Sequence, residues 1–150
     1  MKSLIDRYVV IQTIIGAAIL ITTRNFRVHL PLSLVIIGLA MMQGGAIIFI
    51  LTIRQLGTAM TPVITPVAHA HLVTTGVYHW VRHPLYFGII LLFLGWSLAW
   101  GALLSGLLTG VLMLFLLIKA TAEEKLLSAK YPEYLQYKLQ VPDRLIPYIL

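Results

Sequence analysis

The sequence predicts an all-α, polytopic integral membrane helix bundle of about four spans, ending in a cytoplasmic amphipathic C-terminal segment. Three observations point there. First, 59% of the 150 residues are hydrophobic, 11% are charged and the mean hydropathy is +0.92, whereas soluble domains run at roughly 45 to 50% apolar and about 25% charged. Second, three long stretches carry no charge: Tyr8 to Thr23, Val28 to Ile53 and Pro84 to Ile118. Third, the basic residues are distributed unevenly about those stretches. The length fits one membrane-embedded domain spanning residues 1–150.

The first stretch is short for a hydrocarbon core of ~30 Å, but Asp6, Arg7 and Arg24 can sit at the interfaces. A cleaved signal peptide is not expected, because Thr23-Arg24-Asn25-Phe26-Arg27 leads straight into a second apolar span without a small-residue cleavage site. The last stretch is 35 residues long. As one helix it would measure ~52 Å and need a tilt beyond ~40°, so two crossings fit better. Their turn is expected within Ser97 to Ala102, where Trp96, Trp100 and Gly101 supply interfacial rings and a flexible backbone point.

Four spans put nine Lys/Arg on the side of the termini and two opposite, while three spans would divide them four against seven. The positive-inside bias therefore places both termini in the cytoplasm. The formal charge of +6 is read as cytoplasmic loops facing anionic lipid, with no nucleic acid partner. Absence of cysteine removes disulfides, thiolate nucleophiles and Cys-based zinc sites.

Within the last pair of helices, Ala102, Gly106 and Gly110 form a small-residue stripe suited to close helix packing. The segment from Arg54 to Arg82, with Gly57, Pro62, Pro66 and Gly76, reads as extended and ordered. Beyond Lys119, Leu126, Leu127, Tyr131, Tyr134, Leu135 and Tyr137 suit short amphipathic helices broken at Pro132 and ended by Pro142, resting on the membrane or over the bundle.

A chain that crosses out after Pro84 and returns at Lys119 brings Arg82-His83 and Glu123-Glu124 to one cytoplasmic face, with Tyr78 and Tyr86 near them in sequence. Each has a plainer explanation. Arg82 can be a topology anchor, Lys119 a snorkelling cation, and the tyrosines belt aromatics. Thr121-Ala122-Glu123-Glu124 matches a capping box, although the apolar run into Lys119 points to a helix continuing through Thr121. Pro84 suits the first position of a helix, with His83 held extended before it at an N-terminus that favours anions. His69, His71, His79 and His83 raise a metal alternative, but Pro84 breaks the helix needed to align the last two and no carboxylate lies between Arg54 and Arg82. No metal is expected. Gln43-Gly44-Gly45 inside the second span suggests a polar hydrogen bond and a close helix contact.

Leu72 to Tyr78, Arg82-His83-Pro84-Leu85-Tyr86-Phe87-Gly88, a helical hairpin, Glu123-Glu124, Tyr134 to Tyr137, Val141-Pro142 and Leu145-Ile146-Pro147 together resemble the isoprenylcysteine carboxyl methyltransferase family, from Arg54 to Pro147. Membrane phospholipid N-methyltransferases share the Arg-His-Pro element more loosely, as do sterol reductases. The resemblance implies S-adenosylmethionine as methyl donor and a lipophilic or lipid-modified substrate reached from the bilayer. It implies a cofactor site lined by His71, Leu72, Val73, Tyr78, His83, Pro84, Leu85 and Tyr86, closed by Glu123 and Glu124. Arg82 and Lys119 are expected to handle a polar or anionic substrate head. Lys119 stands where eukaryotic-type members carry an arginine, and a lysine lacks the bidentate fork. The reaction expected on this resemblance is carboxyl O-methylation of a prenylcysteine-like acceptor. Phospholipid or amine N-methylation is the nearest alternative, ahead of a nicotinamide-dependent reductase or a non-catalytic membrane adaptor.

Overall fold

A computed structural model describes residues 2–57 and 72–149, with side chains from Arg7 onward. The chain forms α1 (Lys2–Ile21), a 3-10 turn (Thr22–Arg24), α2 (Leu32–Leu56), a second 3-10 turn (Gly76–His79), α3 (Pro84–Ala99), α4 (Leu103–Lys130) and α5 (Tyr134–Gln140). Three helices, α1, α2 and α4, are long and apolar enough to cross a membrane, and α3 is a shorter apolar helix. The architecture is the all-α polytopic bundle expected.

The turn between α3 and α4 falls at Trp100 to Ala102, inside the expected interval. Gly101 takes φ +60°, and a Cβ there would collide with the Val28 carbonyl. That close approach ties the turn to the α1–α2 connection: Val28 N–H donates to Gly101 O at 2.9 Å and Leu103 N–H to Phe26 O at 3.3 Å. Both turns therefore share one end of the bundle. The C-terminal ends of α2 and α4 and the start of α3 share the other.

α2 packs chiefly on α3, and α1 on α4. Glycines set the first contact. A Cβ on Gly45 would stand 2.7 Å from Gly88 O and 2.6 Å from Leu92 N, and one on Gly38 would stand 2.8 Å from Gly95 O. Two glycine pairs, each seven residues apart, thus let the backbones touch along the helix pair. The close contact expected at Gly45 is present, but the Ala102, Gly106, Gly110 stripe does not make one. Gly106 would meet only Ser97 Cβ at 3.7 Å and Gly110 nothing within 4 Å. Close packing lies instead with α2, whose glycines face those of α3.

The core joins Ile19 of α1, Tyr86 and Ile90 of α3, Leu112, Leu116 and Ala120 of α4, and Leu145 of the tail. Ile14, Leu32, Leu107 and Leu114 are exposed outward, as expected where lipid is the solvent. The two described ends of the Arg54 to Arg82 segment are helical rather than extended, and residues 58–71 between them lie outside the described residues. α2 runs on through Arg54 to Leu56 and Gly76–His79 winds a 3-10 turn, because an arginine in a helix's last turn can reach the interface without ending the helix. The tail folds over the end of the bundle, burying Tyr134, Tyr137 and Val141 with Leu72 and Leu127 packed beside them.

Candidate active site

Pro84 occupies the first turn of α3, with His83 as its N-cap residue at φ −124°. Val81, Arg82 and His83 are buried. The tail lies against them: Arg82 N–H donates to Asp143 O at 3.0 Å and His83 N–H to Arg144 O at 2.9 Å. α4 continues without a break to Lys130, and Thr121 Oγ1 donates to Leu117 O at 2.9 Å. The capping-box alternative for Glu124 is thereby overturned, since no helix starts there. Glu123 and Glu124 sit in a helix interior opposite His83.

Glu124 is 3% exposed and is the hub of the cluster. Arg82 Nε donates to its Oε1 at 2.9 Å, while Arg82 Nη1 donates to the Val141 and Pro142 carbonyls, each at 2.6 Å. Arg144 reaches both carboxylate oxygens and also donates to Thr121 Oγ1 at 3.2 Å. Lys138 Nζ lies 3.4 Å from Oε2. Two buried opposite charges hold only when hydrogen bonds satisfy the rest of each group, and the tail carbonyls do this for Arg82.

Glu123 forms the other half. Tyr86 Oη donates to its Oε1 at 2.5 Å, and His83 Nδ1 stands 3.4 Å from its Oε2. The His83 ring stacks on Tyr86 with centroids 5.4 Å apart. His83 Nε2 is 3.4 Å from Glu124 Oε1 but out of hydrogen-bond alignment, leaving a buried ring nitrogen with no hydrogen bond among the described residues. Burial alone would pull the imidazole down; contacts with Glu123 and Glu124 overcome it and hold His83 above its ordinary value. Tyr78 lies close by, its phenol pushed up by burial, then by Tyr137 and Glu123. Its carbonyl accepts from Tyr137 Oη at 2.6 Å. Lys119 is 2% exposed, donates to Gln12 Oε1 of α1 at 2.8 Å, and lies 5.2 Å from the Tyr86 ring centroid.

Of the residues singled out in the sequence, Arg82, His83, Tyr86, Glu123 and Glu124 share this cluster, with Lys119 and Tyr78 at its edge. Leu72 packs on the tail, Leu85 on the bundle core, and Pro84 is buried at the helix start; Val73 is half-buried. His71, like His69, lies outside the described residues. Among the described residues no three His, Asp or Glu are placed to hold a metal ion. The sequence does not single out Arg144, Lys138, Gln12 or the tyrosine link from α5. The tail's resemblance to the family's end, around Val141-Pro142 and Leu145-Ile146, is the one signal pointing to Arg144.

Four cationic side chains, Arg82, Lys119, Lys138 and Arg144, surround two carboxylates. Such a cluster offers cationic groups to a ligand carboxylate and Glu123 to a ligand ammonium, with Tyr78 at its edge. The donor set therefore fits S-adenosylmethionine.

No curated protein matches the chain. The family model described as phospholipid methyltransferase matches residues 33–134, from the second residue of α2 to the first of α5, which takes in Arg82, His83, Tyr86, Glu123 and Glu124 but not Lys138 or Arg144, and the chain belongs to that family of S-adenosylmethionine-dependent membrane methyltransferases.

Proposed function

We propose that the protein transfers a methyl group to the amine of a phospholipid head group, at the end of the bundle where the Glu123–Glu124 cluster lies. The observation that carries this reading is the family match across α2, α3 and α4. It favours an amine acceptor over the prenylcysteine carboxylate that the closer sequence resemblance implies.

When bound, S-adenosylmethionine supplies an activated methyl, whose bond to sulfur breaks as the lone pair of the acceptor nitrogen takes the carbon. The chain's own residues have three tasks. Arg144 and Arg82, with Glu124, fix the tail over the site and exclude water. His83 and Tyr86 present Glu123, whose carboxylate would take the ammonium of the cofactor, while the acceptor enters as the free amine, its proton left to interfacial water. Tyr78 and Tyr86 line the approach and align the methyl for in-line transfer. Leu72 and Val73 would complete the wall of the cofactor site.

One observation favours a carboxylate acceptor instead. Lys119 is a buried cation beside Tyr86, where an anionic head would be a natural partner. Purified protein supplied with radiolabelled S-adenosylmethionine and either an ethanolamine phospholipid or a prenylcysteine analogue separates the two. Label in the ethanolamine lipid is expected. Label only in the prenylcysteine analogue would establish carboxyl methylation, and Lys119→Met should then raise its KM.

A further inference from the structure

Outside the polar cluster, the C-terminal end of α2 and the segment after Gly76 enclose an open groove of about 700 Å³. Leu51 and Arg54 form one wall, and Val77, His79 and Trp80 the other. The second wall is pinned rather than loose. Gln55 Nε2 donates to Thr75 O at 2.7 Å, and Val77 N–H donates to Gln55 Oε1 at 3.1 Å. Gly76 makes this approach possible, since it takes φ +60° and any Cβ there would strike the Gln55 amide.

The groove is polar at one end and apolar at the other. α2 has 25 residues, about 37 Å at 1.5 Å per residue, against a hydrocarbon core of ~30 Å. Arg54, in its last turn, therefore lies at head-group depth, and Leu51 lies about one turn deeper among the acyl chains. Trp80 is 67% exposed, a ring suited to the same interfacial depth. Among the described residues no acidic side chain lines the groove, and no carboxylate or carbonyl pairs with Arg54. A cation at the interface with no counter-charge among the described residues calls for an anion with an apolar tail.

We propose that this groove seats an anionic bilayer phospholipid, its phosphate against Arg54 and His79 and an acyl chain along Leu51. None of these residues belongs to the Glu123–Glu124 cluster, so the lipid is a neighbour of the site and not its acceptor. Its phosphate would brace the Gly76–Trp80 segment, which carries Tyr78 to the cluster.

Trp80 reports on its own groove. With Trp96 and Trp100 replaced by Phe, it is the one remaining tryptophan of three. The variant is reconstituted in nanodiscs containing brominated phosphatidylglycerol or brominated phosphatidylcholine, and quenching is followed against mole fraction. Half-quenching is expected at about five-fold lower mole fraction for phosphatidylglycerol, the preference that about 1 kcal/mol per basic residue confers. Arg54→Gln should abolish the preference and Arg54→Lys retain it. Native mass spectrometry of the full chain in detergent, with all three tryptophans present, provides a second reading: phosphatidylglycerol adducts on the parent that Arg54→Gln loses. Equal quenching by both lipids, or a preference and adducts unchanged in Arg54→Gln, would overturn the proposal and leave Arg54 a helix-terminal cation only.

Discussion

Arg144 grips Glu124 through two contacts, Nε to Oε1 at 3.1 Å and Nη2 to Oε2 at 3.2 Å. They fasten the tail to α4 across 20 residues of chain. Because Arg82 shares Glu124, the same carboxylate also fixes the entrance to α3. Glu124→Gln leaves the Arg82 guanidinium, 6% exposed, without its counter-charge, and breaking such a buried pair costs about 3 to 5 kcal/mol. Arg144→Gln, at a half-buried position, should cost less, about 1.5 to 3 kcal/mol for lost charge-assisted hydrogen bonds. Thermal unfolding in detergent measures both; equal and negligible losses would mean that the clasp does not hold the tail.

The glycine contact between α2 and α3 makes a separate prediction. Gly45→Ala and Gly95→Ala each push a methyl into facing backbone, at 2.7 Å from Gly88 O and 2.5 Å from Gly38 O. The helices must part, at an expected cost of about 1 to 3 kcal/mol. Gly110→Ala meets nothing within 4 Å and should be neutral or slightly stabilising through helix propensity. A midpoint series on the three variants checks the ranking.

The longitudinal arrangement is legible in the sequence. The 35-residue charge-free run has to turn, and a hairpin of that length brings Arg82-His83 and Glu123-Glu124 to one end. The lateral pairings are not legible there. Lys119 meets Gln12 across 107 residues of chain, and neither residue type announces the other. Arg144 is a lone arginine in a tail without periodicity. The glycines of α2 and α3 that touch repeat every seventh residue, whereas the i, i+4 spacing of small residues points to Ala102, Gly106 and Gly110, which make no close contact.

His83 gives the protein a pH dependence of definite sign. Glu123 and Glu124 hold its folded value above 6.5 despite burial. The stabilisation is fully present below the unfolded value and is lost as pH rises through the folded one. Tyr78, Tyr134 and Tyr137 are also raised, chiefly by burial, but from 10.0, so their contribution is lost only at more alkaline pH. The unfolding temperature should therefore fall as pH rises above 6.5, and His83→Gln should flatten that fall. A parent curve flat through neutrality and into mild alkali would refute the His83 assignment.

Membrane orientation is testable in this cysteine-free chain. Asn25 and Ser128 are both exposed, at opposite ends of the bundle. Single cysteines there, treated with an impermeant maleimide on intact cells, should label Asn25→Cys and spare Ser128→Cys, since nine basic residues flank the latter side. The reverse pattern would place the Glu123–Glu124 cluster outside.

Calorimetric titration of the purified protein with S-adenosylhomocysteine measures whether Tyr86 and Glu123 belong to a cofactor site. The parent should bind one equivalent, and Tyr86→Ala and Glu123→Gln should each weaken binding about tenfold or more, the equivalent of about 1.4 kcal/mol, while remaining folded. Parent-like affinity in both folded variants, or no binding by the parent, would contradict that placement.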